Sequence, residues 1–236
     1  MNFNSLLRVK EGKREDYWVS FSDLMSGLMV IFLFIAVTYM NSITKGKEKI
    51  EQIAIMWNQT QENLYQDLFE EFKADLPKWK ASINSETISI RFEEPSVFFD
   101  PGSANLTRGF KDILDDFFPR YLDTLSKYTD NIAEVRIEGH TSSEWIGAKS
   151  DLEAYFRNME LSQNRTRSVL QYCLTLPAIA RQRDWAIKTI TANGLSSSSP
   201  IIASSGEENF SLSRRVEFRV RTDAERRIVT ILEGIN

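Results

Sequence analysis

The chain holds one cysteine, Cys173, and one histidine, His140, among its 236 residues. A single thiol cannot close an intramolecular disulfide. One thiol and one imidazole together cannot build a structural zinc site of the cysteine–histidine kind. Such cysteine poverty suits an oxidising compartment. There is no long basic run, and the formal net charge is −4, so the electrostatic footprint of a nucleic-acid binder is missing. No motif brings a nucleophile, a base and an orienting group together. The chain therefore reads as a non-enzyme, with no metal and no cofactor expected.

Charge is also lacking along one stretch. From Leu24 to Thr44, 21 positions pass without a charged residue, and a helix of about 20 apolar residues spans a hydrocarbon core. The segment "DYWVSFSDLMSGLMVIFLFIAVTYM" (16–40) thus predicts a transmembrane helix over 17–42, after a polar leader over 1–16. It is long for a signal-peptide core, and "VTYMNSITKG" offers no small-residue cleavage site, so the helix reads as a retained anchor. Arg8, Lys10, Lys13 and Arg14 precede it, while Lys45, Lys47 and Lys49 follow. The bias toward a cytoplasmic N-terminus is slight.

Asp23 interrupts this apolar segment. A carboxylate at mid-helix costs about 2.5–3.5 kcal/mol to insert, and such residues normally face a protein interior or water. Asp23 stands about 9 Å along the helix from Tyr17 at 1.5 Å per residue, so an interfacial carboxylate that reaches water is the plain alternative. The surrounding face favours the other reading. Ser20, Ser26, Gly27 and Val30 share it with Asp23, and small residues let a second helix approach closely. Leu24, Leu28, Ile31, Phe32 and Ile35 lie on the other faces. Asp23 is therefore a candidate ion-translocating residue. One helix cannot form an ion path alone, so a channel-forming partner is implied.

Residues 43–80 carry Ile50, Ile53, Met56, Trp57, Leu64, Leu68, Phe72 and Leu76 at helical spacing, and Pro77 marks the end. This helical linker could pair with a copy of itself, lie on the membrane, or pack on the next domain. Over 81–222 the pattern changes. "TISIRFEE", "AEVRIEGH", "AIKTITANG" and "RRVEFRVR" read as strands. Pro101 and Gly102 break the connection "FFDPGSANLT". A helix capped by Asn105 or Thr107 runs to about Leu125, with Phe110, Ile113, Leu114, Phe117 and Phe118 inward. A longer one covers about 152–176, with Leu161, Val169, Leu170 and Leu174 inward. The order β-α-β-α-β-β predicts an α+β domain with helices packed on one side of a small sheet. The tail, 223–236, could add a short helix, "AERRIVTILEG".

Two resemblances follow from these stretches. "WVSFSDLMSGLM" (18–29) resembles the membrane helix of MotB-type stator subunits, with Asp23 at the position of the ion-carrying aspartate. "FDPGSANL" (99–106), "IEGHTS" (137–142), "NMELSQNRTRSV" (158–169) and "RRVEFRV" (214–220) together resemble the OmpA-like peptidoglycan-binding domain. That likeness implies that Arg165 grips a carboxylate of the peptidoglycan stem peptide, and that Asn158 and Leu161 line the same pocket. A guanidinium is a bidentate fork for a carboxylate, which supports the role independently. The plain alternative for Arg165 is a surface salt bridge. The family's aspartate after Gly-His-Thr is Ser142 here, so the carboxylate for the ligand's ammonium group is absent or supplied elsewhere, with Glu144 and Asp151 as candidates. His140 reads as a structural residue at a strand end.

A wall-binding domain must lie outside the inner membrane, which makes the N-terminus cytoplasmic and the C-terminal domain periplasmic. The stator likeness implies a homodimer inside a ring of five channel-type subunits, anchored to peptidoglycan. The insertion-like "SSEWIGAKSDLEAYFRNMELS" and the "YMNSITKGKEKIEQ" that follows the helix bring the chain closer to the stator-like subunits of Zorya anti-phage defence systems. A flagellar stator for motility, a passive wall tether and a TolR-like energy transducer remain the alternatives.

Overall fold

The computed structural model describes residues 12–93, 98–100 and 102–223, with side chains described from Trp18 onward except at 56 and 57. The leader up to residue 11, Pro101 and the expected tail helix lie outside the described residues. The chain divides into two compact units, one comprising Met1–Ile53 with Thr230–Asn236 and the other Ala54–Val229.

Helix α1 runs from Gly12 to Phe72. Its part in the first unit includes a stretch with mean hydropathy 2.0, and α1 is the one described helix long and apolar enough to cross a membrane. The apolar side chains there, from Trp18 and Leu24 to Tyr39 and Met40, all stand exposed, as does Asp23. A helix apolar on every side is stable in lipid or against other helices, not in water. The two threonine hydroxyls of this part are satisfied internally: Thr38 donates to the Phe34 and Ile35 carbonyls, and Thr44 to that of Met40.

In the second unit a five-stranded mixed sheet has the order β1-β2-β5-β3-β4. The strands are β1 Ala81–Asn84, β2 Ser89–Glu93, β3 Ile132–His140, β4 Ile190–Gly194 and β5 Arg215–Thr222. Among the described strands only β3 and β4 pair in parallel. Alternation puts Ile90, Phe92, Val135, Ile137, Val216 and Phe218 on one face, buried under the helices. Helix α2, Arg108–Ser126, starts at Thr107, whose side chain accepts from the Phe110 amide. It buries Phe110, Leu114, Phe117, Phe118 and Tyr121. Helix α3, Asp151–Thr175, is capped by Ser150.

Three details depart from the expected pattern. Residues 81–84 form a strand of their own: Lys80 takes positive φ where the chain enters it, and Ile88 takes positive φ at the turn that folds the hairpin back. The expected third strand begins only at Ile190, since Arg183–Thr189 close a short helix, α4, first. The largest difference concerns the linker. Leu64, Leu68, Phe72, Leu76 and Trp79 are buried in the core of the sheet domain. The Phe72 and Phe117 rings pack tilted with centroids 5.1 Å apart, and Arg120 of α2 lies 5.0 Å over the Phe72 ring while binding Glu71 and Asp75. Leu64 is therefore unavailable as a contact between two copies of the chain. Its partner is the domain itself.

Candidate functional site

Helix α3 makes the site by lying unusually close to the sheet. A Cβ on Gly139 would come within 2.7 Å of Thr166 Cγ2, and one on Gly194 within 2.3 Å of the Gln163 amide nitrogen. Only glycine lets the helix cross β3 and β4 at that distance. The buried face of α3 is correspondingly small and polar: Ala154, Asn158, Ser162 and Thr166. Thr166 donates to the Ser162 carbonyl, and Ser162 Oγ accepts from the Ser196 amide. Hydrophobic periodicity had pointed Leu161 inward. Leu161 is instead half-exposed, because these small residues take the inner face.

The rotation places Leu161 and Arg165 beside the end of β3. Gly102, Thr141, Ser142, Glu144, Trp145, Ile146, Asn158, Leu161, Arg165 and Arg214 line one cleft of about 390 Å³. All four residues expected from the sequence to bind the wall, Ser142, Asn158, Leu161 and Arg165, thus come together. Of the two substitute carboxylates, Glu144 lies in this cleft, whereas Asp151 lines a neighbouring one with Ser143, Leu152, Tyr155 and Ser197.

The residues play different parts. Asn158 is buried and its amide donates to the backbone carbonyls of Ser142 at 3.1 Å and Glu144 at 3.2 Å. It fixes the shape of the loop. Glu208 holds the next residue, accepting from the Ser143 amide and hydroxyl. Arg165 donates through Nε to the Ser103 carbonyl at 3.0 Å and lies 4.8 Å over the Phe99 ring. Both contacts orient the guanidinium and leave its terminal nitrogens for a ligand. Burial, and then the charge of Arg214, push the Arg165 guanidinium down to about 10. Thr141 is buried, and its hydroxyl finds no hydrogen-bond partner among the described residues. Thr141, Trp145, Ile146 and Arg214 were not legible as site residues. Arg214 begins the "RRVEF" run, but which of its two arginines faces a cleft depends on where the strand starts.

Behind the cleft lies a buried charged cluster on the other face of the sheet. Glu138, His140 and Glu217 could bring ligand atoms within 4.8 Å of one another. Arg215 and Arg91 both donate to Glu217 Oε1, at 2.5 Å and 3.0 Å. Two guanidiniums beside that carboxylate oppose a cation there. Burial alone would raise the Glu217 carboxyl, but the Arg215 hydrogen bond and the charges of Arg215 and Arg91 hold it below its usual range. His140, at the strand end, stands 3.7 Å from Glu138.

The sheet order, the close-lying α3 and the cleft at the end of β3 define an OmpA-like domain, carried behind an apolar helix with a lone carboxylate. Residues 98–214 match the OmpA family. A crystal structure of a MotB-like protein from Desulfovibrio vulgaris shares the fold, with a TM-score of 0.50 and 23% identity over 70% of this chain and 93% of that one. The chain belongs to the family of the Zorya protein ZorB: it is 46% identical to that protein of Escherichia coli (Crooks strain) over 95% of both chains. The Zorya protein ZorB of Escherichia coli O139:H28 is 23% identical, covering 93% of this chain and 87% of its own.

Proposed function

We propose that this chain is the peptidoglycan-anchored B subunit of an ion-driven stator in the bacterial inner membrane, acting in anti-phage defence. Its helix crosses the membrane once with the N-terminus cytoplasmic, and its OmpA-like domain stands in the periplasm. Asp23 carries the ion. Two copies sit inside a ring of five channel-type subunits, and the cleft at Arg165 holds the wall. The subunit itself performs no catalysis and binds no nucleic acid.

The observation that carries this reading is one combination in one chain. A lone carboxylate lies in an apolar helix, and an OmpA-family domain gathers Ser142, Asn158, Leu161 and Arg165 in one cleft. A motor subunit needs both a place where an ion pushes and a place that does not move. One charge crossing 100 mV releases about 2.3 kcal/mol, which does work only against a fixed anchor. The relationship to ZorB proteins supports defence over motility. Pairing has its own rationale, since two weak wall sites joined together bind far more tightly than one. With Leu64 committed to the domain, Ile50 and Ile53, earlier on the same stripe, are the linker positions proposed to hold the pair.

Cells carrying the chain with its neighbouring genes are expected to resist phage with swimming unchanged. Altered swimming with unchanged phage plating would move the chain to flagellar motility. The mass of the detergent-extracted complex should correspond to two copies per ring, and a single copy would sink the rotary-stator reading.

A further inference from the structure

The lone histidine stands on the face of the sheet that the cleft does not use. His140 is the last residue of β3 and is 5% exposed, and neither ring nitrogen has a hydrogen-bond partner among the described residues. Its Nε2 lies 3.7 Å from Glu138 Oε2, on the same face of the strand. Glu138 stands directly opposite Glu217 of β5, and both are buried. Like charges facing each other across a sheet are unfavourable unless each is compensated. Glu217 is compensated, since Arg215 and Arg91 both donate to it. Glu138 is less well served. Among the described residues its carboxylate accepts no hydrogen bond, and the one arginine within 4.0 Å is Arg219, whose side chain is 41% exposed.

The other charged groups around His140 are already committed. Arg215, opposite it on β5, is bound to Glu217 and to the Ser199 and Ser213 carbonyls, so its charge is largely offset. From β2, Arg91 also holds Glu217, and Glu93 accepts from the Ser82 hydroxyl. From β4, the residue paired with Glu138 is Asn193, which carries no charge. Histidine is the side chain whose charge ordinarily changes between about pH 5 and 8. A neutral ring here leaves buried nitrogens unpaired and Glu138 short of a cation. A proton on the ring supplies that cation, and Nε2 can then donate to Glu138 in a charge-assisted hydrogen bond.

The same strand ends carry the cleft. Thr141 and Ser142 follow His140 directly and line it, and Arg214, next to Arg215, lines it too. The backbone there is tied to the neighbouring loop, with the Thr141 amide donating to the Ser196 carbonyl at 2.9 Å and the Leu195 amide to the Gly139 carbonyl at 2.8 Å. We propose that Glu138 and His140 form a proton-operated brace: proton uptake closes the 3.7 Å gap, stiffens the end of β3 and strengthens the hold of the cleft in acid. The proposal rests on the wall-anchor reading for what the cleft holds, and adds to it a control by periplasmic pH. Acidity of that compartment would also drive a proton-coupled motor, so the grip would rise with the driving force.

The test uses the full-length chain in detergent, where a single histidine gives a single imidazole NMR signal. Its titration midpoint should move to lower pH in Glu138→Gln, which keeps the shape of the side chain and removes its charge. Equal midpoints overturn the brace. In wild type, protection of the Thr141 and Ser142 amides, corrected for intrinsic exchange, should fall about fivefold as pH rises through that range, and sedimentation with purified sacculi should weaken by a similar factor. Glu138→Gln and His140→Asn should each make both profiles level, which separates the brace from any titration of the wall itself. A protonated His140 stabilises the fold in acid, and that contribution is lost as pH rises. The gap in melting temperature between wild type and His140→Asn should therefore be widest in acid, and a gap that widens toward alkaline pH overturns the proposal. If the titration and protection behave as expected while wild-type sedimentation is level with pH, the control of the cleft is wrong and the wall anchor stands. If the wild type sediments at no pH, the wall anchor falls, and the titration and protection still decide the brace.

Discussion

Removing the last turns of α1 should unfold the domain. The sequence alone places the domain boundary at 81, and a soluble fragment cut there would omit Leu64, Leu68, Phe72, Leu76 and Trp79. All five are buried in the domain core. At about 1.5–3 kcal/mol for each buried large side chain, the loss is about 7–15 kcal/mol, which is comparable to the whole typical stability of a domain, about 5–15 kcal/mol. The same cut removes Glu71 and Asp75, which hold Arg120 at 2.7 Å and 3.0 Å, and Asp67, which accepts from Lys127 and Tyr128. It also uncovers Phe117 and Phe92, which pack on Phe72 and Trp79. Two fragments should be compared by thermal and urea denaturation, one beginning at Ala54 and one at Ala81. The longer should unfold cooperatively, and the shorter should aggregate or melt without a sharp transition. Within the longer fragment, Phe72→Ala should cost about 3–5 kcal/mol. A fragment from Ala81 with the same urea midpoint as the longer one would refute the assignment of these turns to the domain.

Other outcomes follow from individual contacts. Arg165→Ala should abolish sedimentation with sacculi. Asn158→Ala should weaken it less and act through the loop, so backbone exchange at Ser142 and Glu144 should rise with it. Gly194→Ala forces a Cβ to within 2.3 Å of the Gln163 backbone, and should lower stability by about 1–3 kcal/mol, read as a shifted urea midpoint. Glu217 has a depressed carboxyl, so its stabilising contribution is present at neutral pH and lost as pH falls through its folded value. Glu217→Gln should therefore be less stable than wild type at neutral pH, by about 3–5 kcal/mol for a broken buried pair. The gap should narrow under acid. A gap that widens under acid would reverse the sign of this linkage.

Much of the second unit was legible because its elements follow simple periods. The alternation of Val216, Phe218 and Val220 gave β5, and the spacing of Phe110, Leu114, Phe117 and Phe118 gave α2. Four of the cleft residues, Ser142, Asn158, Leu161 and Arg165, were legible from motif order, which brings them together across the chain. What could not be read depended on tertiary fit. The apolar stripe at Leu64–Leu76 reads the same whether it meets a second copy or its own domain. The inner face of α3 is small and polar because Gly139 and Gly194 bring the sheet so near, and periodicity favoured its leucines instead. Arg214 is separated from Arg165 by 49 residues, and only the folded loop over 195–213 brings them into one cleft.

The central claim is that Asp23 carries an ion through the membrane while the domain holds the wall, and Asp23→Asn tests it most directly. Asparagine has nearly the same shape as aspartate but cannot take up and release a proton. The variant should be expressed, inserted in the membrane and bound to sacculi as the wild type is. Cells carrying it with its partner subunits should lose phage resistance entirely. Full resistance with Asp23→Asn would contradict the ion-carrier assignment and leave a passive wall tether.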